Sequence, residues 1–203
     1  GHSEGEFANT NFTSNVEDLR LAARYLAEHV GVPQLLIGHS LGGAAVIKAT
    51  PDIDGVRAVV TIGAPSDPSH VSKNFAAQID AIQAAGEAEV DLAGRPFTIK
   101  RQFLEDITEA KLDSALKNLD AALLVLHSPQ DTTVGVGNAA DLFQGAMHPK
   151  SFITLDNADH LITRPADAEY VADVLGAWGT RYLDLADEPA TPGAPEGVTR
   201  VSE

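Results

Sequence analysis

The sequence of 203 residues is 44% apolar, which is enough material for one globular domain with a sizeable core. Its formal net charge of -15 comes from acidic residues spread along the chain, and this charge disfavours nucleic acid and anionic membranes as partners. The absence of cysteine excludes disulfide bonds, a thiol nucleophile and zinc–thiolate sites. We find no signal peptide and no apolar stretch of membrane-spanning length in it, so we expect a soluble, cytoplasmic protein.

The first predicted element is a helix in the stretch SNVEDLRLAARYLAEHVGVP. Ser14 and Glu17 have the spacing of a capping box, apolar residues follow at helical intervals, and Gly31 is a typical stop signal. The next stretch, QLLIGHSLGGAAVIKAT, has a short apolar run at 35–37 and a small-residue helical pattern at 44–49. The order of these patterns predicts a strand, a tight turn and a helix.

Three further apolar runs, each bounded by turn residues, lie at 56–65, 121–129 and 151–160. Continuous apolar runs are typical of parallel strands that are covered on both faces. The last predicted helix starts at Pro165 and carries one apolar stripe, made of Val171, Val174, Leu175, Trp178, Tyr182 and Leu185. Strands that alternate with helices predict an α/β fold with a mostly parallel sheet and helices on both faces.

The segment 66–120 is too long for a simple crossover between two strands. It contains helical patterns at 71–85 and 101–119, with a predicted hairpin about Gly94 between them, and we interpret it as a small helical cap inserted into the domain. Residues 187–203 are rich in proline, glycine and acidic residues without periodicity, which predicts a linker or disordered tail. The predicted domain therefore spans 1–186.

The pattern G-x-S-x-G occurs twice, as GHSEG at the start of the sequence and as GHSLG at 38–42. It is typical of a serine nucleophile on a strained turn between a strand and a helix, where the hydroxyl stands above the sheet. The flanking glycines are expected because larger side chains would collide in the turn. Only the second copy has a strand before it and a helix after it. We therefore predict Ser40 as the nucleophile and interpret Ser3 as a loop residue.

A serine nucleophile needs a histidine base, and the histidine needs an acid that fixes its tautomer. In this class of enzyme the chain order is serine, acid, histidine. Asp131 lies just beyond the apolar run at 121–129, and His160 follows the last predicted strand in the same relation. Both positions are at the carboxyl edge of a parallel sheet, where ligands bind. Asp67, which follows the preceding strand, remains a rival for the acid.

The other histidines and acids near these positions are weaker candidates. His148 precedes a strand, and we interpret His39 as a residue that packs or shapes the turn. Asp156 and Asp159 flank His160 and could tune it, but an immediate neighbour is poorly placed to meet its Nδ1 atom.

Together, GHSLGG, HSPQDTTV and DNADHL resemble the α/β-hydrolase superfamily over roughly residues 1–184. Longer stretches, such as SEGEFANTNFTSNVEDL, are similar to bacterial hydrolases of serine aminopeptidase and esterase type, which are often fused to an OsmC-like peroxide-reductase domain. This resemblance implies an acyl-enzyme mechanism without metal or cofactor. It implies Ser40 as nucleophile, Asp131 as acid, His160 as base and the backbone N–H of Leu41 as one oxyanion donor.

The resemblance also predicts segments that this sequence lacks. Members of the superfamily have strands before a GxGxSEG loop, and the sequence begins inside that loop. The second oxyanion donor would then lie outside the chain, and the strand at 35–37 would be a bare apolar edge. We expect such a truncated chain to be nearly inactive toward simple aryl esters and prone to aggregate.

The function implied by the resemblance is hydrolysis of small-molecule esters or amides. An alternative is a noncatalytic fragment or accessory domain that associates with an OsmC-like domain in cis or in trans, since PATPGAPEGVTRVSE resembles an interdomain linker. Perhydrolysis, in which peroxide replaces water at the acyl-enzyme, is a third reading that rests only on the fusion partner.

Overall fold

A computed structural model describes residues 4–92 and 95–183; Ser3, Gly94, Leu185 and the predicted tail at 187–203 lie outside the described residues. The helices and strands, in chain order, are α1 (Phe12–His29), β1 (Leu35–His39), α2 (Leu41–Ala49), β2 (Ala58–Ile62), α3 (Ile79–Ala85), β3 (Glu87–Leu92), β4 (Arg95–Lys100), α4 (Arg101–Glu109), α5 (Asp113–Lys117), β5 (Ala122–His127), α6 (Gly137–Gly145), β6 (Lys150–Thr154) and α7 (Pro165–Gly179). Short 3-10 segments cover Phe7–Asn9, Thr50–Asp52 and Pro68–Gln78.

The central sheet has four parallel strands in the order β1-β2-β5-β6. Because every strand runs in the same direction, the loops that follow β1, β2, β5 and β6 leave the sheet at one edge. β1 lies at one side of the sheet and pairs only with β2 among the described residues. The predicted α/β fold with a mostly parallel sheet is confirmed.

Helices cover both faces of this sheet. On one face, Val59, Leu123 and Val125 pack in a core with side chains of α1, α2, α6 and the 66–120 segment. On the other face, Val60 and Leu124 pack in a second core against α7. Since both faces are covered, every residue of β5 is buried, which explains why its sequence is a continuous apolar run rather than an alternating one.

The first helix begins earlier than its sequence pattern indicates. Its N-cap is Asn11, whose side-chain oxygen accepts the Ser14 backbone N–H at 2.7 Å, while Ser14 Oγ accepts the Asn11 backbone N–H at 2.9 Å. The capping box predicted at Ser14 and Glu17 is therefore wrong, because Ser14 occupies its third helical position instead. Glu17 pairs with Arg20 on the surface.

The inserted segment has the predicted parts. Helical turns at Pro68–Gln78, kinked at Phe75, and α3 precede an antiparallel hairpin of β3 and β4, and α4 and α5 follow. Its apolar side chains, among them Phe75, Ile82, Ile99 and Phe103, join the main core. The segment is thus packed as part of the domain. Among the described helices, none combines the length and apolarity that crossing a membrane requires.

Replacement of Asn11 by alanine should lower the free energy of unfolding by about 1 kcal/mol, because the Ser14 N–H then loses its acceptor. Glu17→Ala is the control, since it removes only an exposed ion pair and should change stability by less than about 0.5 kcal/mol. Urea denaturation of the two variants and the parent measures both values. A larger loss from Glu17→Ala than from Asn11→Ala would contradict the observed helix start.

Candidate active site

Ser40 lies on the turn between β1 and α2. His39 is the last residue of the strand and Leu41 the first of the helix, so Ser40 alone makes the reversal, with φ 52° and ψ -130°. A non-glycine residue at positive φ is strained by about 1–3 kcal/mol and persists only where the surroundings hold it. Here its backbone N–H donates to the Ile62 carbonyl at 2.8 Å, which anchors the turn to β2.

The glycines around the turn permit this close approach of backbone to backbone. A Cβ on Gly38 would lie 2.3 Å from the carbonyl oxygen of Gly42, and a Cβ on Gly43 would lie 2.5 Å from the Cβ of Ala64. Side chains are therefore excluded at both positions. The collision expected at Gly42 does not occur, because a Cβ there would meet nothing within 4 Å. The steric requirement falls on Gly43, one residue further into the helix.

The structure brings together the three side chains singled out in the sequence. His160 Nε2 lies 3.0 Å from Ser40 Oγ, and His160 Nδ1 lies 2.7 Å from Asp131 Oδ2. Because a carboxylate only accepts, Nδ1 donates to Asp131 and Nε2 is left to accept the Ser40 hydroxyl proton. This arrangement can take the proton from Ser40 while its oxygen attacks an electrophile.

Asp131 is held by its own loop. Its Oδ1 accepts the backbone N–H groups of Thr133 at 2.8 Å and Val134 at 2.9 Å, so that Oδ2 is left for His160. The residue is 7% exposed. Gly63, which follows β2 with φ 56°, leaves space for this contact, because a Cβ there would lie 3.3 Å from Asp131 Oδ2 and 3.4 Å from His160 Nδ1.

The loop that carries His160 is fixed on two sides. His39 Nε2 donates to the His160 carbonyl oxygen at 2.7 Å, and the two imidazole rings lie 5.0 Å apart. Asp159 accepts the backbone N–H of Leu161 at 2.9 Å and also the hydroxyl of Thr163. The hydrogen bond from that hydroxyl is the main reason that the pKa of Asp159 is lowered. Asp159 thus shapes the loop rather than contacting His160 Nδ1.

The rival acid, Asp67, is engaged elsewhere. Its Oδ1 accepts the Ser69 N–H at 2.9 Å at the start of the 3-10 segment, and its Oδ2 lies 3.3 Å from Lys111 Nζ. The carboxyl group that reaches His160 is that of Asp131.

The sequence did not predict a role for two residues near the site, Gly63 and His127. Gly63 lies in IGAP, where its sequence gives no sign of the imidazole and carboxylate packed against it. His127 ends β5 and is completely buried, with Nε2 donating to the Val134 carbonyl at 2.7 Å. The sequence feature that could have drawn attention to His127 is its position at the end of an otherwise apolar strand, four residues before Asp131.

A cavity of about 730 Å³ opens at Ser40 and His160. Its apolar lining comes from the 3-10 segment before α1, the first turn of α2, the inserted segment and the loop after His160, and includes Phe7, Leu41, Val71, Phe75, Ile99, Phe103 and Leu161. Two carboxylates, Asp91 and Asp159, also line it, and no lysine or arginine does within the described part of the chain. As the first residue of α2, Leu41 has a backbone N–H at the helix N-terminus, where such groups lack acceptors within the helix and attract negative charge.

The sequence is similar to a known protein family. The family model described as "Alpha/beta hydrolase family" matches residues 1–174. None of the curated proteins compared with the sequence matches it.

Several solved structures are similar to the chain. The esterase domain of a Rhodothermus marinus protein is 48% identical, with a TM-score of 0.70, over 87% of this chain and 72% of that one. Est1E from Butyrivibrio proteoclasticus, solved with ferulic acid, is 18% identical, with a TM-score of 0.68, over 90% and 73%. Mouse alpha/beta hydrolase domain-containing protein 10 is 20% identical, with a TM-score of 0.66, over 89% and 74%. The last two likenesses show the fold alone.

Gly63→Ala should displace His160 and Asp131 by a few tenths of an ångström and weaken their hydrogen bond, because the new methyl group would lie 3.3 Å from Asp131 Oδ2 and 3.4 Å from His160 Nδ1. The measurement is the downfield proton resonance of the His160 Nδ1–H group, which should move upfield. Gly86→Ala is a matched control, since Gly86 also has positive φ but a Cβ there would meet nothing within 4 Å. Both variants should lose about 1–2 kcal/mol of stability from backbone strain, but only in Gly63→Ala should the resonance move.

The pKa of His39 is lowered, chiefly because burial desolvates its ring, although the hydrogen bond to the His160 carbonyl acts in the opposite direction. Below about pH 6.5 the unfolded chain binds a proton at this residue that the folded chain resists, so the free energy of unfolding decreases as the pH is lowered. Compared with His39→Gln, the parent should therefore lose more thermal stability between pH 8 and pH 5.5. A stability difference between the two that stays constant with pH would show that His39 titrates normally.

Proposed function

Because this chain belongs to the alpha/beta hydrolase family, we propose that it is a serine hydrolase that cleaves esters or small amides through an acyl-enzyme on Ser40. The observation that carries the proposal is the continuous chain of contacts from Ser40 Oγ through His160 to Asp131, 3.0 Å and 2.7 Å long. Esters are the favoured substrates, since the solved structure 48% identical to this chain is described as an esterase domain.

In the proposed reaction, Ser40 Oγ attacks the substrate carbonyl carbon while its proton moves to His160 Nε2. Asp131 holds the imidazole in the required tautomer and stabilises the imidazolium that forms. The Leu41 N–H donates to the oxyanion of the tetrahedral intermediate. His160 then gives the proton to the leaving alcohol or amine, which departs as the acyl-enzyme forms. Water, deprotonated by His160, releases the acid and restores Ser40.

The lining of the cavity favours substrates whose acyl or alcohol group is apolar and uncharged. Its aromatic and aliphatic lining gains from burying apolar substrate surface, at about 25 cal/mol per Å². Asp159 in the same lining, and the chain's net charge of -15, would repel a carboxylate on the substrate. We therefore infer that the substrates are uncharged and apolar near the scissile bond.

The test is covalent labelling with an uncharged alkyl fluorophosphonate, which requires only a nucleophile and its base, followed by peptide mapping. Ser40 should carry the label, and Ser40→Ala should abolish it. Asp131→Asn should slow labelling by about 10⁴-fold, because the imidazole is then held in the wrong tautomer. The matched control is Asp67→Asn, the same chemical change at the rival acid, which should leave the rate unchanged.

Competition in the same assay tests the substrate class. A neutral hexanoate ester should slow labelling, whereas the half-ester of succinic acid should not at equal concentration. Label on a serine other than Ser40 would overturn the assignment of the nucleophile, and equal loss from Asp67→Asn and Asp131→Asn would overturn that of the acid. Stronger competition by the anionic ester would overturn the inference about charge.

A further inference from the structure

His127 is a polar residue in a place where an apolar one would be expected. It is the last residue of β5, whose other members are alanine, leucine and valine, and it is completely buried. Its Nε2 donates to the Val134 carbonyl at 2.7 Å, and its Nδ1 has no hydrogen-bond partner among the described residues. An unpaired buried polar atom costs free energy, which a valine or leucine here would avoid.

The hydrogen bond that His127 makes falls on the loop that holds Asp131. Val134, whose carbonyl accepts from His127, also donates its N–H to Asp131 Oδ1 at 2.9 Å. The neighbouring Thr133 donates to the same oxygen at 2.8 Å. The carbonyl group of Val134 is therefore hydrogen-bonded to the strand, and its N–H group is hydrogen-bonded to the carboxylate of Asp131. Fixing its carbonyl fixes the direction from which the loop holds Asp131.

His127 is also close to the carboxylate itself. Its Nε2 lies 3.8 Å from Asp131 Oδ2, the oxygen that contacts His160. That distance is too long for a hydrogen bond, and the Nε2 proton is directed to Val134. Because a carbonyl oxygen only accepts, Nε2 carries a proton and donates it to Val134. A donor directed at Val134 can orient the loop without competing with His160 for Oδ2.

We propose that His127 is a positioning residue, which acts on the reaction through the Val134 carbonyl and Asp131 rather than by touching the substrate. The inference rests on the proposed function, in which Asp131 orients His160. Core packing alone does not explain a histidine at this buried position, and the proposal gives it a role. The competing explanation is that His127 only fills space beneath the loop.

The variants that separate these explanations differ in one donor. His127→Leu keeps an apolar side chain in the core but removes the hydrogen bond to Val134. His127→Gln retains an N–H donor at about the reach of Nε2 and serves as the conservative variant. Each is made in the parent and in Asp131→Asn, in which the residue through which His127 acts is already impaired. Labelling by the uncharged alkyl fluorophosphonate gives the rate, and thermal unfolding gives the stability.

His127→Leu should slow labelling by about 10–10² fold, the effect of a displacement of order 1 Å in a reacting group. His127→Gln should restore the rate to within about threefold of the parent. In the Asp131→Asn background, His127→Leu should have almost no further effect, because two changes on one path do not add. The downfield resonance of His160 Nδ1–H should be lost in His127→Leu and present in His127→Gln. This resonance is measured on the protein without substrate, so it does not depend on catalytic activity.

Several outcomes would overturn the inference. They are a folded His127→Leu that labels at the parent rate, an equal loss of rate in both Asp131 backgrounds, and failure of His127→Gln to restore the rate. If His127→Leu does not fold, His127→Asn replaces it, since its shorter amide cannot reach Val134. If neither folds while His127→Gln does, the histidine is needed for folding and the inference fails. A parent protein that takes no label contradicts the proposed function instead, and the His160 resonance alone then decides the role of His127.

Discussion

The architecture of the site depends on the close backbone packing where β1 turns into α2. Gly38 and Gly43 have no room for a side chain, and their small size lets the helix begin directly after the strand. Ser40 consequently has a φ of 52°, and it lines the same cavity as Leu41, the first residue of α2. The strain is offset by the burial of α2, where six of nine residues are buried in the core, and by the bond from Ser40 to Ile62. Without that packing the serine would relax to an ordinary turn.

The parallel sheet supplies the common edge on which distant parts of the chain meet. Backbone hydrogen bonds continue just past the strand ends, from Ser40 N to Ile62 O, from Gly63 N to Leu126 O and from Leu155 N to His127 O. They fix where each loop starts, so side chains 120 positions apart come within 3.0 Å. The inserted segment then covers this edge with apolar side chains. Apolar side chains beside the site strengthen its electrostatic contacts, because fewer solvent dipoles screen them.

Other residues hold different atoms of the three proposed catalytic residues, Ser40, His160 and Asp131. His39 holds the backbone of the His160 loop, Gly63 leaves space beside the contact between imidazole and carboxylate, and the two amides of the acid loop hold Asp131 Oδ1. Each of these contacts restricts the movement of a side chain that must keep its orientation during the reaction. Such second contacts are what turn a set of suitable residues into a preorganised site.

The sequence by itself determined the fold class and the strand–turn–helix around Ser40, and it singled out three residues whose side chains the structure brings together. These features are local, since they depend on apolar periodicity and on turn residues next to strand ends. It favoured Asp131 as the acid but kept Asp67 as a rival, and it was wrong about the start of α1 and about a steric collision at Gly42. It gave no sign of the roles of Gly63 and His127. Only the tertiary structure showed which carboxyl group reaches His160, which turn glycine has no room for a side chain and what packs against Gly63, because these features depend on contacts between segments far apart in the chain: Lys111 beside Asp67, Ala64 beside Gly43, and His160 beside Gly63. The start of α1 and the role of His127 depend on hydrogen bonds between nearer residues, Asn11 with Ser14 and His127 with Val134, whose geometry exists only in the folded chain. Distances between segments far apart in the chain are set by strand register and core packing, which no short stretch of sequence encodes.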